Sequence, residues 1–87
     1  MKNKIVKEIY IPKVEIEKFR GSIEKVIVAL RGSNKVDFAT RLDDYKKEEV
    51  IIFEAVFYGD TEEEATQEYE KFKELVNTSF GEEVKEI

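Results

Sequence analysis

Any chemistry in this chain falls to carboxylates, amines, tyrosines and hydroxyls, because its 87 residues include no histidine and no cysteine. Ser-His and Cys-His nucleophile pairs cannot be built, nor can a zinc site of His or Cys ligands. The four glycines are scattered, so no glycine-rich loop is available to cradle phosphate. The acidic clusters have plainer explanations. Asp43, Asp44, Glu48 and Glu49 match no EF-hand spacing, and Lys46 and Lys47 sit among them and repel a cation. Asp60, Glu62, Glu63 and Glu64 fall where a helix begins, and there the helix dipole favours negative charge. Glu54 interrupts an otherwise apolar strand face, and pairing with a cross-strand base such as Arg41 or Arg31 accounts for it. The expectation is a chain that is not an enzyme and uses no metal and no cofactor.

The elements that position these residues belong to one domain over residues 1–87. A chain of this size hides only about 60–65% of its unfolded surface, so its core is thin. Hydrophobic residues make up 41% and aromatics 11%, which is enough to fold. Charged residues reach 40%, well above the usual quarter. Met1-Lys2-Asn3-Lys4 lacks the apolar core of a signal peptide, and no apolar run approaches a membrane span, so the expected location is cytoplasmic. The charge is uneven. Residues 1–35 carry nine Lys/Arg and four Glu, a net +5, and residues 36–87 carry six Lys/Arg and sixteen Asp/Glu, a net −10. Halves that interleave in the fold would neutralise each other, whereas separated halves would leave a basic face.

Residues 4–11 alternate as a strand that Pro12 ends. Residues 12–20 read as a short helix, with Pro12 early, Arg20 late and Gly21 after it, or as a continuing edge strand in which Val14 and Ile16 alternate with charges, and the helix is preferred. A longer helix through Ile16, Phe19, Ile23, Ile27 and Leu30 also has the right spacing. It must pass Gly21-Ser22, and Val26-Ile27-Val28 is β-branched, so the preferred reading is a strand over 23–31. Gly32-Ser33-Asn34 then serves as a hairpin loop, residues 35–42 return as a strand, and 43–47 form a polar turn. Residues 49–58 are the clearest strand, with Ile51, Phe53, Ala55 and Phe57 on one face and Val50, Ile52, Glu54, Val56 and Tyr58 on the other. Gly59-Asp60-Thr61 opens a helix over 61–78 whose inner stripe is Ala65, Tyr69, Phe72 and Val76. Residues 84–87 add a short edge strand.

The predicted fold class is therefore α+β: an antiparallel sheet of about four strands, with one long C-terminal helix (61–78) packed on one face. A single helix covers one face only. The second face of strand 49–58 then needs cover from residues 12–20, a second copy or a partner. The functional expectation is a non-enzymatic protein-interaction module that self-associates and acts as an accessory or inhibitory subunit. Its partner-binding residues are Val50, Ile52, Glu54, Val56 and Tyr58, and the partner is a protein or a second copy, with no membrane. The alternatives are a nucleic-acid or ribosome accessory protein using Lys2, Lys4, Lys7, Lys13, Lys18, Arg20 and Lys25, an acidic nucleic-acid mimic, or a small-ligand binder.

Overall fold

The computed structural model describes residues 3–87; Lys2, one of the basic residues named above, lies outside them. β1 (Asn3–Pro12) ends in a 3-10 turn (Lys13–Glu15) that leads into α1 (Ile16–Arg31). β2 (Val36–Tyr45) and β3 (Glu48–Gly59) form a hairpin, α2 (Glu62–Phe80) follows, and β4 (Lys85–Glu86) comes last. The sheet is antiparallel, in the order β2-β3-β1-β4. β1 and β2 both oppose β3, so they run parallel to each other and require α1 as a crossover. β3 and β4 flank β1 in the same way, with α2 as their crossover. Two interleaved β-α-β units of this kind make a ferredoxin-like arrangement, with both helices on one side of the sheet.

The α+β class, the four strands and the long C-terminal helix agree with the sequence reading, and Ala65, Tyr69, Phe72 and Val76 are all buried. The expected strand over 23–31 is wrong. Those residues are the second half of α1; of the short helix expected at 12–20, only residues 16–20 belong to α1, while Pro12 ends β1 and Lys13–Glu15 form the 3-10 turn. Phe19, Ile23, Val26, Ile27 and Leu30 form one helical stripe in or against the core, whereas a strand would divide them between two faces. Gly21 costs the helix about 1 kcal/mol and each β-branched residue a few tenths. Burying Phe19, Val26 and Leu30 returns about 1.5–3 kcal/mol apiece. Packing therefore overrides propensity. Gly32-Ser33-Asn34 is accordingly a helix-to-strand connection, in which the Gly32 and Ser33 amides donate to the Val28 and Leu30 carbonyls.

The helix side of the sheet presents Ile9, Ile11, Phe53, Ala55 and Phe57 to both helices. Phe57 is fully buried and sits 5.1 Å from the Phe72 ring and 5.7 Å from Tyr69. Phe19 stacks on Phe80 at 4.8 Å, and the Ser22 hydroxyl donates to the Ser79 carbonyl at 2.5 Å, so α1 is tied to the end of α2. Thr61 caps α2 by accepting from the Glu64 amide at 3.1 Å, while Glu64 accepts from the Asp60 amide at 2.9 Å. Gly59 has no room for a side chain: a Cβ there would stand 2.5 Å from the Ala65 nitrogen. Gly81, at φ 72°, ends α2 in the left-handed region. The Val84 amide then donates to the Asn77 side chain at 3.1 Å, which turns the chain back toward β4.

Candidate protein-interaction surface

Among the described residues no helix or second sheet covers the opposite face of the sheet. Strand alternation places on it Lys4, Val6, Glu8, Tyr10 and Pro12 of β1, the five predicted residues of β3, and Asp37, Ala39, Arg41, Asp43 and Tyr45 of β2. The predicted β3 residues do share this face, but they do not form one exposed patch. Val50 is fully buried and Ile52 is only 3% exposed. Their cover comes from within the chain. Tyr10 and Tyr45 stand on the two strands that flank β3, and their rings meet at 4.7 Å. Rings from β1 and β2 can meet only by lying across β3, and that places them over Val50 and Ile52. Lys46 and Lys85 hold their ammonium groups 5.4 Å and 6.0 Å from the Tyr45 and Tyr10 ring centres.

The middle of the face is ionic. Arg41 reaches across β3 to Glu8 on β1 at 2.7 Å, and lies 3.8 Å from Glu54 and 3.6 Å from Asp43. Of the two arginines expected to pair with Glu54, Arg41 does so, whereas Arg31 ends α1 rather than standing on a strand; Glu8 also stands directly opposite Glu54. The hydrogen bond to Glu8 is the main reason the Arg41 guanidinium binds its proton more tightly than usual. Three carboxylates thus share one cation. Beyond this cluster lie Val6, 49% exposed, and its register partner Val56, which is half-buried. At the far end the Tyr58 hydroxyl donates to Asp37 at 2.9 Å, and that bond raises the Tyr58 pKa. Including Glu48 and Lys85, the face holds five carboxylates against three cations.

Tyr10, Tyr45, Val6, Glu8 and Arg41 were not among the predicted site residues. The alternation of β1 shows that Val6, Glu8 and Tyr10 share a face, but only the β1–β3 register sets that face beside Val56 and Glu54. The basic residues of the N-terminal third do not gather. Lys4 is on the open face, Lys7 lies 4.8 Å from the Tyr69 ring on the helix side, Lys13 pairs with Glu49, and Arg20 pairs with Glu17. Among the described residues no group of three or more acidic side chains is placed to hold a metal ion, and no helix is long and apolar enough to cross a membrane. The hollow lined by Tyr10, Phe19 and Phe80 holds about 30 Å³, room for one water rather than a metabolite. No protein-family model, no curated protein and no solved structure matches this chain, so the functional reading rests on the geometry of this face.

Proposed function

We propose that the chain is a non-enzymatic protein-interaction module, an accessory or inhibitory subunit that occupies a partner's surface with the open face of its sheet. One observation carries the reading: both helices lie on one side, and the other side pairs a half-open valine patch, Val6 and Val56, with a carboxylate-rich cluster around Arg41. Such a surface suits a partner with a small apolar centre and a basic rim, because the surplus carboxylates of Glu8, Glu54 and Asp43 then find cations. The test is Val56→Lys, at a half-buried position outside the core, with the fold checked by circular dichroism. Capture of a specific partner from the native host should be lost. Retention of the same partner at the same yield overturns the reading.

A second reading, nucleic-acid or ribosome binding, draws on Tyr10, Tyr45 and Tyr58, since sheet-type RNA binders stack bases on aromatics of one face. Here Tyr10 and Tyr45 are engaged with each other, and Asp37 holds Tyr58. Salt-sensitive binding of single-stranded RNA that Tyr58→Ala abolishes would favour this reading over the first.

A further inference from the structure

The outer edge of β2 carries a pattern of its own. The Lys35 carbonyl accepts from the Tyr58 amide, and the two-residue turn Lys46–Lys47 closes on Tyr45 and Glu48. Odd-numbered residues of β2 therefore bond to β3, and the even-numbered ones, Val36 to Asp44, aim their amides and carbonyls away from the sheet. β2 is the terminal strand of the sheet, ten residues long, and contains no proline and no lysine, two common devices that protect an edge from pairing. Its side chains are also exposed where a neighbour would cover them, with Leu42 at 70%.

We infer that β2 pairs antiparallel with β2 of a second copy about a two-fold axis at Ala39, joining two sheets into one of eight strands. This pairing takes up the self-association expected from the sequence and is separate from the open-face reading proposed above. Symmetry sets each residue n places after Ala39 opposite the residue n places before it, so a strand suited to itself must be complementary about that centre. β2 is. Arg41 comes opposite Asp37, Leu42 opposite Val36, Thr40 opposite Phe38, and Asp43 opposite Lys35 at the ladder's end. Asp37 offers the carboxylate oxygen that Tyr58 does not use, Arg41 has to turn one side of its guanidinium from its weaker contacts with Glu54 at 3.8 Å and Asp43 at 3.6 Å toward the second copy, and Lys35 is held at 3.9 Å by Glu68. The outward groups of Val36, Phe38, Thr40 and Leu42 supply the ladder hydrogen bonds, each rung made twice by symmetry. Neighbouring registers are worse. An axis at Thr40 opposes Asp37 to Asp43, one at Arg41 opposes that residue to itself, and one at Phe38 opposes Lys35 to Arg41. An axis at Leu42 pairs Arg41 with Asp43, but it shortens the ladder by running it into the Lys46–Lys47 turn and needs the Asp44 amide, which the Asp43 side chain already holds at 2.8 Å.

The absence of native cysteine makes a direct test clean. Ala39 would face its own copy as a non-hydrogen-bonded pair, with Cα atoms about 4.5 Å apart, at the short end of the range of about 4.4–6.8 Å that disulfides span. Under mild oxidation Ala39→Cys should give a covalent dimer, and Thr40→Cys, displaced along the ladder from its own copy, should not. Asp37→Arg and Arg41→Asp should each weaken self-association about tenfold or more, and an equimolar mixture should restore it as a heterodimer, because the reversed charges then meet. Recovery in the mixture also shows that both variants fold. A wild-type chain that stays monomeric at about 1 mM, equal cross-linking at 39 and 40, or a dimer indifferent to Asp37→Arg overturns the inference. A dimer that survives Asp37→Arg and dissociates in Val56→Lys overturns the edge pairing and leaves the face reading standing.

Discussion

The tyrosine pair over the central strand can be tested quantitatively by truncating each ring and both together. Tyr45→Ala removes one half of the cover from Val50 and Ile52, which are 0% and 3% exposed in the intact chain. Full burial of a Val or Ile side chain is worth about 1.5–3 kcal/mol, and the flanking strands keep part of each hidden, so about half of that is lost per residue. With the lost packing of the ring itself, Tyr45→Ala and Tyr10→Ala should each cost about 2 kcal/mol, since each ring also has a lysine ammonium beside it. The two rings touch at 4.7 Å, so the double variant should cost less than the sum by about 0.5–1.5 kcal/mol, the usual coupling of an aromatic pair. Against the total of about 4–13 kcal/mol expected for 87 residues, these losses are readily measured. Urea unfolding followed by circular dichroism gives them as midpoint shifts at constant slope. The contact is between rings, so Tyr45→Phe should be nearly silent. Tyr45→Ala within about 0.3 kcal/mol of wild type, with no coupling to Tyr10→Ala, would refute the claim that the chain covers this end of its own face.

Gly21 lies inside α1 with nothing within 4 Å of where a Cβ would sit, so Gly21→Ala should raise stability by about 0.5–1 kcal/mol in the same urea assay. Gly59 is the opposite case. Gly59→Ala drives a methyl group into the Ala65 amide and Glu64, and should lower stability by about 2 kcal/mol or more unless the β3–α2 junction moves. Tyr69 has its pKa pushed up to about 12, chiefly by burial and then by donating to Glu86 on β4. A pKa raised on folding stabilises fully below the unfolded value near 10 and is lost as pH climbs through 12, so unfolding between those limits should become easier by about 2–3 kcal/mol. Absorbance titration at alkaline pH should show one tyrosine ionising last, and Tyr69→Phe should remove that step and reduce the alkaline loss of stability, leaving the part that comes from Tyr58.

Local signals sufficed where propensity and packing agree. Strand β3 was readable because apolar residues fill both of its faces between turn signals, and α2 because its cap, its acidic first turn and its stripe coincide. α1 was misread where they conflict. Val26, Ile27 and Val28 favour a strand locally, and the gain from placing Phe19, Val26 and Leu30 together exists only once α2 and the sheet are there to receive them. The site suffered from the same non-local dependence. Cross-strand chemistry narrows the partner of Glu54 to a base such as Arg41 or Arg31, but that Tyr10 and Tyr45 meet over Val50 depends on β1 and β2 flanking β3, a topology that a β2–β3 hairpin alone does not imply.

The topology also explains why the charge halves, so uneven along the sequence, interleave among the described residues. The first 35 residues, net +5, supply β1 and α1. The order β2-β3-β1-β4 inserts β1 between two strands of the acidic remainder, and α1 lies beside α2. Among the described residues three ion pairs cross between the halves: Lys13 to Glu49, Lys35 to Glu68, and Arg41 back to Glu8. Each spends a cation of the basic half or a carboxylate of its strand within the fold. What interleaving cannot remove is the net −5, and part of it is concentrated where Glu8, Glu54 and Asp43 crowd one guanidinium on the uncovered side of the sheet. Removing charge there should therefore strengthen rather than weaken the isolated chain: Glu54→Gln relieves the direct opposition to Glu8 while leaving the Arg41–Glu8 bond in place. If the cluster exists to meet a cationic partner, the same substitution should weaken capture while raising the unfolding midpoint. A fall in both would mean that Glu54 is a structural member of the sheet, and the functional reading of the face would lose its ionic half.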